Sequence, residues 1–334
     1  APRWTAVQPA TDVSSVLLTG SAGFLGSHLL ATLLQQLDIP VYCLMRTGAS
    51  AAKSLRAKQA EALDLYGLSA IDLDDRFRPV ESDLGQSGLG LSRANIERLR
   101  NDCSHVIHCG AFVNHVFGYD RLRSANSLST LELIRLSMSG RPKKLSLIST
   151  VSAVAQSDAQ GFGLEAEVSD DPADFFGGYA LSKWVAERLL SQSFERGLEG
   201  LILRPGNIFA SHHTGASSSV DTNFSLLMMR SYLATGLAPD LDLWFEAVSV
   251  DELAEAVVAL TMDVKTSRRA LNLSNPNAIP LHEYLQLLEE ISGRSIQIVS
   301  YEQWRRDVIV PLTKSDPLYP LTLYFQGEPS QEIQ

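Results

Sequence analysis

Cysteine is scarce. The 334 residues hold three, Cys43, Cys103 and Cys109, with no CxxC spacing. An odd, sparse set offers no disulfide framework and predicts a reducing compartment, the cytoplasm. Long apolar runs are missing too. No stretch is apolar and long enough to span a bilayer, and no signal-peptide pattern opens the chain, so no membrane partner is expected. Positive charge is in deficit, with 28 Lys and Arg against 38 Asp and Glu, a net charge of −10. That balance argues against a protein that coats nucleic acid or anionic lipid. What is plentiful is apolar side chain, 45%. This suffices for a large core in one or two domains, and it excludes a long disordered tract. The initial residues, "APRW", lack a methionine and read as a piece of something longer. "LYFQG", 323–327, resembles a cleavage-tag remnant, but Leu321 and Thr322 before it do not fit one. It reads as native sequence, and 322–334 take no part in the functional reading.

"SVLLTG" (15–20) is a short apolar run ending in glycine, followed by a helical apolar pattern over 23–37 and a second buried run over 39–46. Strand, helix, strand is a βαβ unit. Further strands are expected at 77–81, 104–108, 144–150 and 199–204, with helices at 92–101, 119–138 and 178–196. Such alternation predicts an α/β fold with a Rossmann-type, doubly wound parallel sheet.

The turn after the first strand reads "TGSAGFLG", with Gly20, Gly23 and Gly26. Glycines at a strand-to-helix junction let backbone approach a pyrophosphate, while the helix N-terminus offers amide donors. The second strand ends in "LMRTG", with Arg46 where a site for NAD usually offers a carboxylate. A guanidinium clamps a 2′-phosphate that a carboxylate would repel, so NADPH is the expected cofactor, with Arg56 assisting. Asp83 ends the third strand. It can accept from an adenine amino group or serve as a plain turn residue.

"GGYALSKWVAERLL" (177–190) places Tyr179 and Lys183 four apart on one helical face, at the margin of an apolar arc of Val185, Ala186, Leu189 and Leu190. Glu187 and Arg188 fall further round. A packing tyrosine beside a snorkelling lysine explains the pair as well as chemistry does, until the glycine turn is considered. A nicotinamide cofactor implies a carbonyl that takes up hydride and then a proton. A free tyrosine is too weak an acid for this at neutral pH, and a neighbouring ammonium is expected to lower its pKa. A hydroxyl donor completes the set. "LISTVS" (147–152) supplies Thr150, with Ser149 and Ser152 as substitutes, at a strand end where open α/β sheets bind ligands.

Together, "TGSAGFLG", Thr150 and "YALSK" resemble an extended short-chain dehydrogenase/reductase. "HCGAFVNHVFGYDRLRSANSLSTLELIRLS" (108–137), "SKWVAERLL" and "LRPGNIFASHHTG" (203–215) narrow this to the thioester reductase domains that release chains from nonribosomal peptide and polyketide synthetases. The likeness covers about residues 14–320. It implies that NADPH reduces an acyl or peptidyl thioester, carried on the phosphopantetheine arm of a carrier protein, to an aldehyde or on to the alcohol. It also implies Tyr179 as proton donor, Lys183 on the cofactor ribose and Thr150 on the thioester carbonyl. Thr19, Gly20, Ala22, Gly23, Phe24, Leu25 and Gly26 would form the phosphate turn. Leu84 would lie with Asp83 by the adenine, and Cys109, Gly110 and Ala111 along the fourth strand's end. Asn126 would support the proton-relay helix, and Pro205, Gly206, Asn207 and Ile208 would border the nicotinamide. Three positions depart from the family's pattern: Cys109-Gly110 replaces Asn-Ala, Ser82 replaces a glycine, and Ala210 replaces another. A nucleotide-sugar epimerase or dehydratase of the same superfamily, or a carboxylic acid or fatty acyl reductase domain, are the competing readings; Arg46 argues against the first.

After Gly206 the alternation breaks into a polar loop, 210–223. His212 and His213 suggest a metal pair but lack a third ligand, so no metal is expected. A helix at 223–236 carries Met228 and Met229, as core or as a substrate-channel wall. Another helix is read at 249–260, and a turn followed by a helix at 274–293. The expected division is a cofactor domain of 1–205, with 240–272 returning to it, and a mostly helical substrate region of 206–330. Arg121, Arg123, Arg141, Lys143 and Lys144 are candidates for a basic face that docks an acidic carrier.

Overall fold

Alternating apolar runs and helical patterns build the fold in chain order. The computed structural model describes residues 13–47, 53–114, 117–154, 163–165, 168–172, 175, 177–219, 223–323 and 325. The first half runs β1 (Val16–Thr19), α1 (Phe24–Gln36), β2 (Val41–Met45), α2 (Leu55–Leu65), β3 (Phe77–Glu81), α3 (Arg93–Asp102) and β4 (His105–His108). It continues with α4 (Tyr119–Arg123), α5 (Ser129–Ser137), β5 (Lys144–Ile148), α6 (Gly177–Phe194), β6 (Glu199–Pro205) and β7 (Ile208–Phe209). Then come α7 (Phe224–Thr235), β8 (Leu237–Pro239), β9 (Trp244–Phe245), β10 (Val248–Ser249), α8 (Val250–Met262) and β11 (Arg269–Leu273). The last elements are β12 (Ile279–Pro280), α9 (Leu281–Ser292), β13 (Gln297–Val299) and α10 (Tyr301–Trp304). Among the described residues no helix is long and apolar enough to cross a membrane.

Seven strands form one parallel sheet in the order β11-β6-β5-β4-β1-β2-β3. The chain winds one way from β1 to β3 and the other way from β4 to β11. The reversal between β1 and β4 opens a crevice at the strands' C-terminal ends. Strand period sorts the core. Val16 and Leu18 of β1 pack with α1 and α8 on one face, while Leu17 packs with α3, α5 and α6 on the other. Both faces are covered, which is why the strands read as continuous apolar runs.

The chain divides into two units, 1–216 with 248–273, and 217–247 with 274–334. The expected boundary at 205 falls too early. Residues 206–216 stay with the sheet because β7 pairs with β10, and because Asp251 at the start of α8 accepts from Ser211 Oγ (2.9 Å) and from the amides of His212 and His213 (both 3.1 Å). Those bonds hold the Asp251 carboxyl well below its usual range against the opposing effect of burial. The second unit has its own core, from Met228 and Tyr232 on α7, Leu285 and Leu288 on α9, and Trp304 on α10. Two short pairings, β8 with β13 and β9 with β12, tie its segments together. Most of 322–334 lies outside the described residues.

The expected helix over 119–138 is interrupted. Ser124–Leu128 forms one π turn between α4 and α5. It carries two of the polar groups that secure the site.

Candidate active site

The phosphate turn is shaped by contacts that forbid side chains. Gly20 has φ +75°, and a Cβ there would lie 2.7 Å from the Gly110 Cα. A Cβ on Gly26 would lie 1.9 Å from the Gly20 carbonyl oxygen. The turn thus presses against both the first turn of α1 and the end of β4. Gly110, where the family pattern has alanine, matches this approach. Helix α1 begins at Gly23 with no side-chain cap and no acid in its first turn. Ala22 and Gly23 are exposed, while Leu25 and Gly26 are buried. Such an N-terminus suits an anion.

A chain of hydrogen bonds behind the turn fixes its place. The Gly110 amide donates to Thr19 Oγ1 (2.8 Å), which lies 2.8 Å from His108 Nδ1. His108 Nε2 lies 3.3 Å from Ser129 Oγ, whose hydroxyl donates to the Ala125 carbonyl (2.6 Å). Only one tautomer satisfies every member: His108 neutral, protonated on Nε2, accepting from Thr19 at Nδ1. Burial, helped by the Lys183 charge, pushes His108 down to about 3 and keeps it neutral. The sequence reading assigned Thr19 to the turn but missed His108 and Ser129.

At the other end, Arg46, Thr47, Glu81, Asp83, Ser92 and Asn95 line a cavity of about 460 Å³ beyond β2 and β3. Arg46 is exposed there, and Thr47 Oγ1 donates to the Glu81 carboxylate. Asp83 accepts from the Gly85 amide (3.0 Å) and Gln86 Nε2 (3.2 Å), so it holds its turn as well as lining the cavity. Leu84 packs towards Gly110. Ser82 donates to the Leu89 carbonyl (2.8 Å), a bond that the family's glycine cannot make. Arg56 is corrected. Its guanidinium donates to the carbonyls of Leu73, Asp74 and Phe77 and lies over the Phe77 ring, which commits it to the α2–β3 connection.

Helix α6 carries two of the catalytic candidates, Tyr179 and Lys183. A Cβ on Gly178 would lie 2.2 Å from the Phe117 carbonyl oxygen, so glycine lets the start of the helix seat against that segment. Lys183 is 4% exposed and donates to the Ile148 carbonyl at the end of β5 (2.8 Å). Burial pushes its pKa down to about 8, with Cys109 and Glu187 opposing. Tyr179 is part-buried, and burial, with Cys109 adding, moves its phenol up. The net shift of the phenol is upward, opposite to the lowering expected from Lys183, whose ammonium donates to the Ile148 carbonyl. Cys109 therefore sits in the electrostatic reach of both Tyr179 and Lys183; burial lifts its thiol to about 11. Thr150 follows β5, and its Oγ1 accepts from the Ser152 amide (3.2 Å). That bond occupies one lone pair, and the hydroxyl itself donates to Ser152 Oγ (3.4 Å). Ser149 is buried beside Glu187.

Asn126, in the π turn, is 2% exposed. Its amide accepts from the Phe112 N–H (2.7 Å) and donates to the Phe112 carbonyl (3.2 Å) and Ser182 Oγ (3.0 Å). It clamps the segment after β4 to α6. Ser127 Oγ adds a bond to the Ser182 carbonyl (2.9 Å). Ala111 begins the clamped segment. Pro205 closes β6, Gly206 donates to the Leu273 carbonyl (3.0 Å), the Asn207 carbonyl accepts from Val248 (3.0 Å), and Ile208 lies in β7.

Three readings of charge are overturned. Glu187, placed outside the apolar arc, is fully buried against Arg204. Lys143 and Lys144 are not a docking face. Lys143 is 1% exposed and donates to the carbonyls of Arg100, Ser139 and Arg141, while Lys144 donates to those of Leu260 and Asp263. Sequence reasoning also missed Gln59, buried on α2, which donates to the Ser21 carbonyl in the phosphate turn (2.9 Å).

A parallel doubly wound sheet with this turn and this Tyr–Lys helix defines a nucleotide-dependent oxidoreductase of the extended short-chain dehydrogenase/reductase type. Comparison with known proteins agrees. Residues 18–257 match an NAD-binding family described as male sterility protein. The L-2-aminoadipate reductase large subunit of Eremothecium gossypii is 31% identical, over 92% of this chain and 23% of the relative. The isonitrile lipopeptide synthase of Streptomyces coeruleorubidus is 34% identical, over 88% of this chain and 20% of the relative. The terminal R domain from the myxalamid PKS-NRPS biosynthetic pathway superposes with a TM-score of 0.86 at 31% identity, covering 96% of this chain and 81% of that one. The chain belongs to this family of NAD(P)-binding reductase domains. It spans less than a quarter of the length of these two curated relatives.

Proposed function

We propose that this domain releases an acyl or peptidyl chain from the phosphopantetheine thioester of a carrier protein by NADPH-dependent reduction to the aldehyde, with a second round giving the alcohol. The observation that supports the reading is the bond from Lys183, one turn after Tyr179 on α6, to the Ile148 carbonyl at the end of β5, two residues before Thr150, in a fold whose glycine turn presses on Gly110 after β4. NADPH, when bound, supplies the hydride. Overall, thioester, NADPH and one proton become aldehyde, thiol and NADP⁺.

Each side chain then has a task. The turn at Gly20, Gly23 and Gly26 cradles the pyrophosphate, and Arg46 at the open cavity meets the 2′-phosphate with its guanidinium. Lys183 holds the cofactor ribose. Thr150 turns its hydroxyl from the long bond to Ser152 Oγ (3.4 Å) to the thioester carbonyl, while its oxygen keeps the Ser152 amide. Tyr179 delivers the proton to the oxygen that gains negative charge. Arg46, where a carboxylate would favour NAD, weighs against a sugar-nucleotide epimerase. The three cysteines are free thiols, which suits a cytoplasmic reaction.

The test is NADPH oxidation at 340 nm with an acyl-pantetheine or acyl-carrier thioester, and mass analysis of the product. Wild type should oxidise NADPH only with thioester and yield aldehyde or alcohol. Tyr179→Phe should lose about 10²- to 10⁴-fold in rate with cofactor affinity retained. A rate equal to wild type in that variant removes the role of Tyr179, and no thioester-dependent oxidation removes the reaction.

A further inference from the structure

Glu187 extends the Tyr179–Lys183 row. Positions 179, 183 and 187 are four apart, so they follow one another along one face of α6. The partner of Glu187 comes from β6: Arg204, 2% exposed. Arg204 Nε donates to both carboxylate oxygens (3.1 and 3.2 Å), and Nη2 donates to Oε2 (2.7 Å). With both oxygens accepting from the guanidinium fork, the group is held as a carboxylate, against burial, which moves its pKa up. A hidden ion pair seldom stabilises a fold more than matched apolar residues would. Its location gives it another use. One partner stands a helical turn beyond Lys183, and the other directly precedes Pro205 and Gly206 at the strand's end.

We propose that Glu187 and Arg204 are positioning residues for the proton machinery: Glu187 keeps Lys183 charged at the end of β5, and Arg204 fixes Glu187 to β6. The inference rests on Tyr179 and Lys183 acting as proposed above. The titratable groups that face Lys183 are Tyr179 and Glu187 on α6, and His108 and Cys109 at the end of β4; Arg204 on β6 reaches it through Glu187. His108 is neutral, held so by its hydrogen-bonded tautomer. Cys109 is a thiol at neutral pH, its titration lifted to about 11. Tyr179 is a phenol, moved up by burial. Among these groups Glu187 alone brings a negative charge at neutral pH, and burial is otherwise free to strip the proton from Lys183.

The decisive variant is E187L/R204M, which replaces the pair by apolar residues of similar size and should fold with a Tm close to wild type. Two profiles against pH are read: NADPH affinity by fluorescence titration, and kcat/KM with an acyl thioester. In wild type both should fall as Lys183 loses its charge, near pH 8. In the double variant both alkaline limbs should move to lower pH by about half a unit or more, because an attracting charge is gone. E187Q leaves Arg204 charged and unpaired, so its limb should move further, by about one unit, with a lower Tm. E187D, which keeps the charge, should restore most of the wild-type profile. A folded double variant whose limbs stay at the wild-type pH overturns the proposal. If instead Tyr179→Phe turns over at the wild-type rate, the catalytic reading beneath it fails, and the NADPH-affinity limb still tests the coupling of Glu187 to Lys183.

Discussion

The Tyr179–Lys183 end of the candidate site and its Arg46 end hold their polar groups in opposite ways. At the first, Lys183, Glu187, Arg204, His108 and Asn126 are buried and bonded to protein partners. At the second, Arg46 stands exposed beside an open cavity, with Thr47, Glu81 and Asp83 around it. Low dielectric strengthens each charge at the buried end, so under the proposed function single groups there should control rate and proton affinity. Water screens the wet end, so a single charge there sets a preference.

Predictions that break or sharpen this contrast follow its order of strength. Under the proposed function Lys183→Met should lower turnover by about 10²-fold or more, since it removes the proposed ribose ligand and its charge; steady-state kinetics and NADPH titration read both losses. A rate near wild type would erase the distinction between the ends. Arg46→Ala should weaken NADPH by about tenfold and leave NADH almost unchanged, as comparison of the two dissociation constants would show. The Arg46 contribution should also shrink as salt rises from low to molar ionic strength, while the Lys183 effect persists. Wild-type turnover should decline above about pH 8. The sign follows from a lysine whose folded pKa is depressed: its charge is present below that pH and lost above it. The smallest effect is chemical. Cys43 and Cys103 are buried and Cys109 is only part-buried, so a maleimide at pH 8 should label one thiol slowly in the native protein. NADPH should protect it, as intact mass would report. Labelling of Cys109 at an equal rate with and without NADPH would separate that residue from the cofactor site.

Local spacing made much of this legible. The βαβ unit, the glycine turn and the Tyr179–Lys183 row each lie within a few dozen residues, where helix and strand periods apply directly. Contacts from distant segments were not legible. Glu187 looks solvated on a helical wheel because nothing in α6 announces Arg204, 17 residues later and on a strand. Lys143 and Lys144 read as a basic surface because their carbonyl partners, at the ends of α5 and α8, appear only once the chain is folded. Arg56 was drawn to the cofactor by its position after β2, whereas three nearby carbonyls claim it. The π turn has no sequence pattern of its own; the apolar spacing of 119–138 reads as one continuous helix. The departures at Ser82 and Gly110 became intelligible only from the backbone they touch.

The chain from Gly110 through Thr19, His108 and Ser129 to Ala125 has a direction. Every donor along it points the same way, from an amide at one end to a carbonyl at the other, so its bond dipoles add head to tail. Reversing one link would leave its neighbour facing donor to donor or acceptor to acceptor. The imidazole is thereby excluded from proton traffic although it lies one residue from Cys109. In this fold a histidine at the end of β4 serves as a polarised strut, and under the proposed function the protons are left to the phenol and the ammonium of α6.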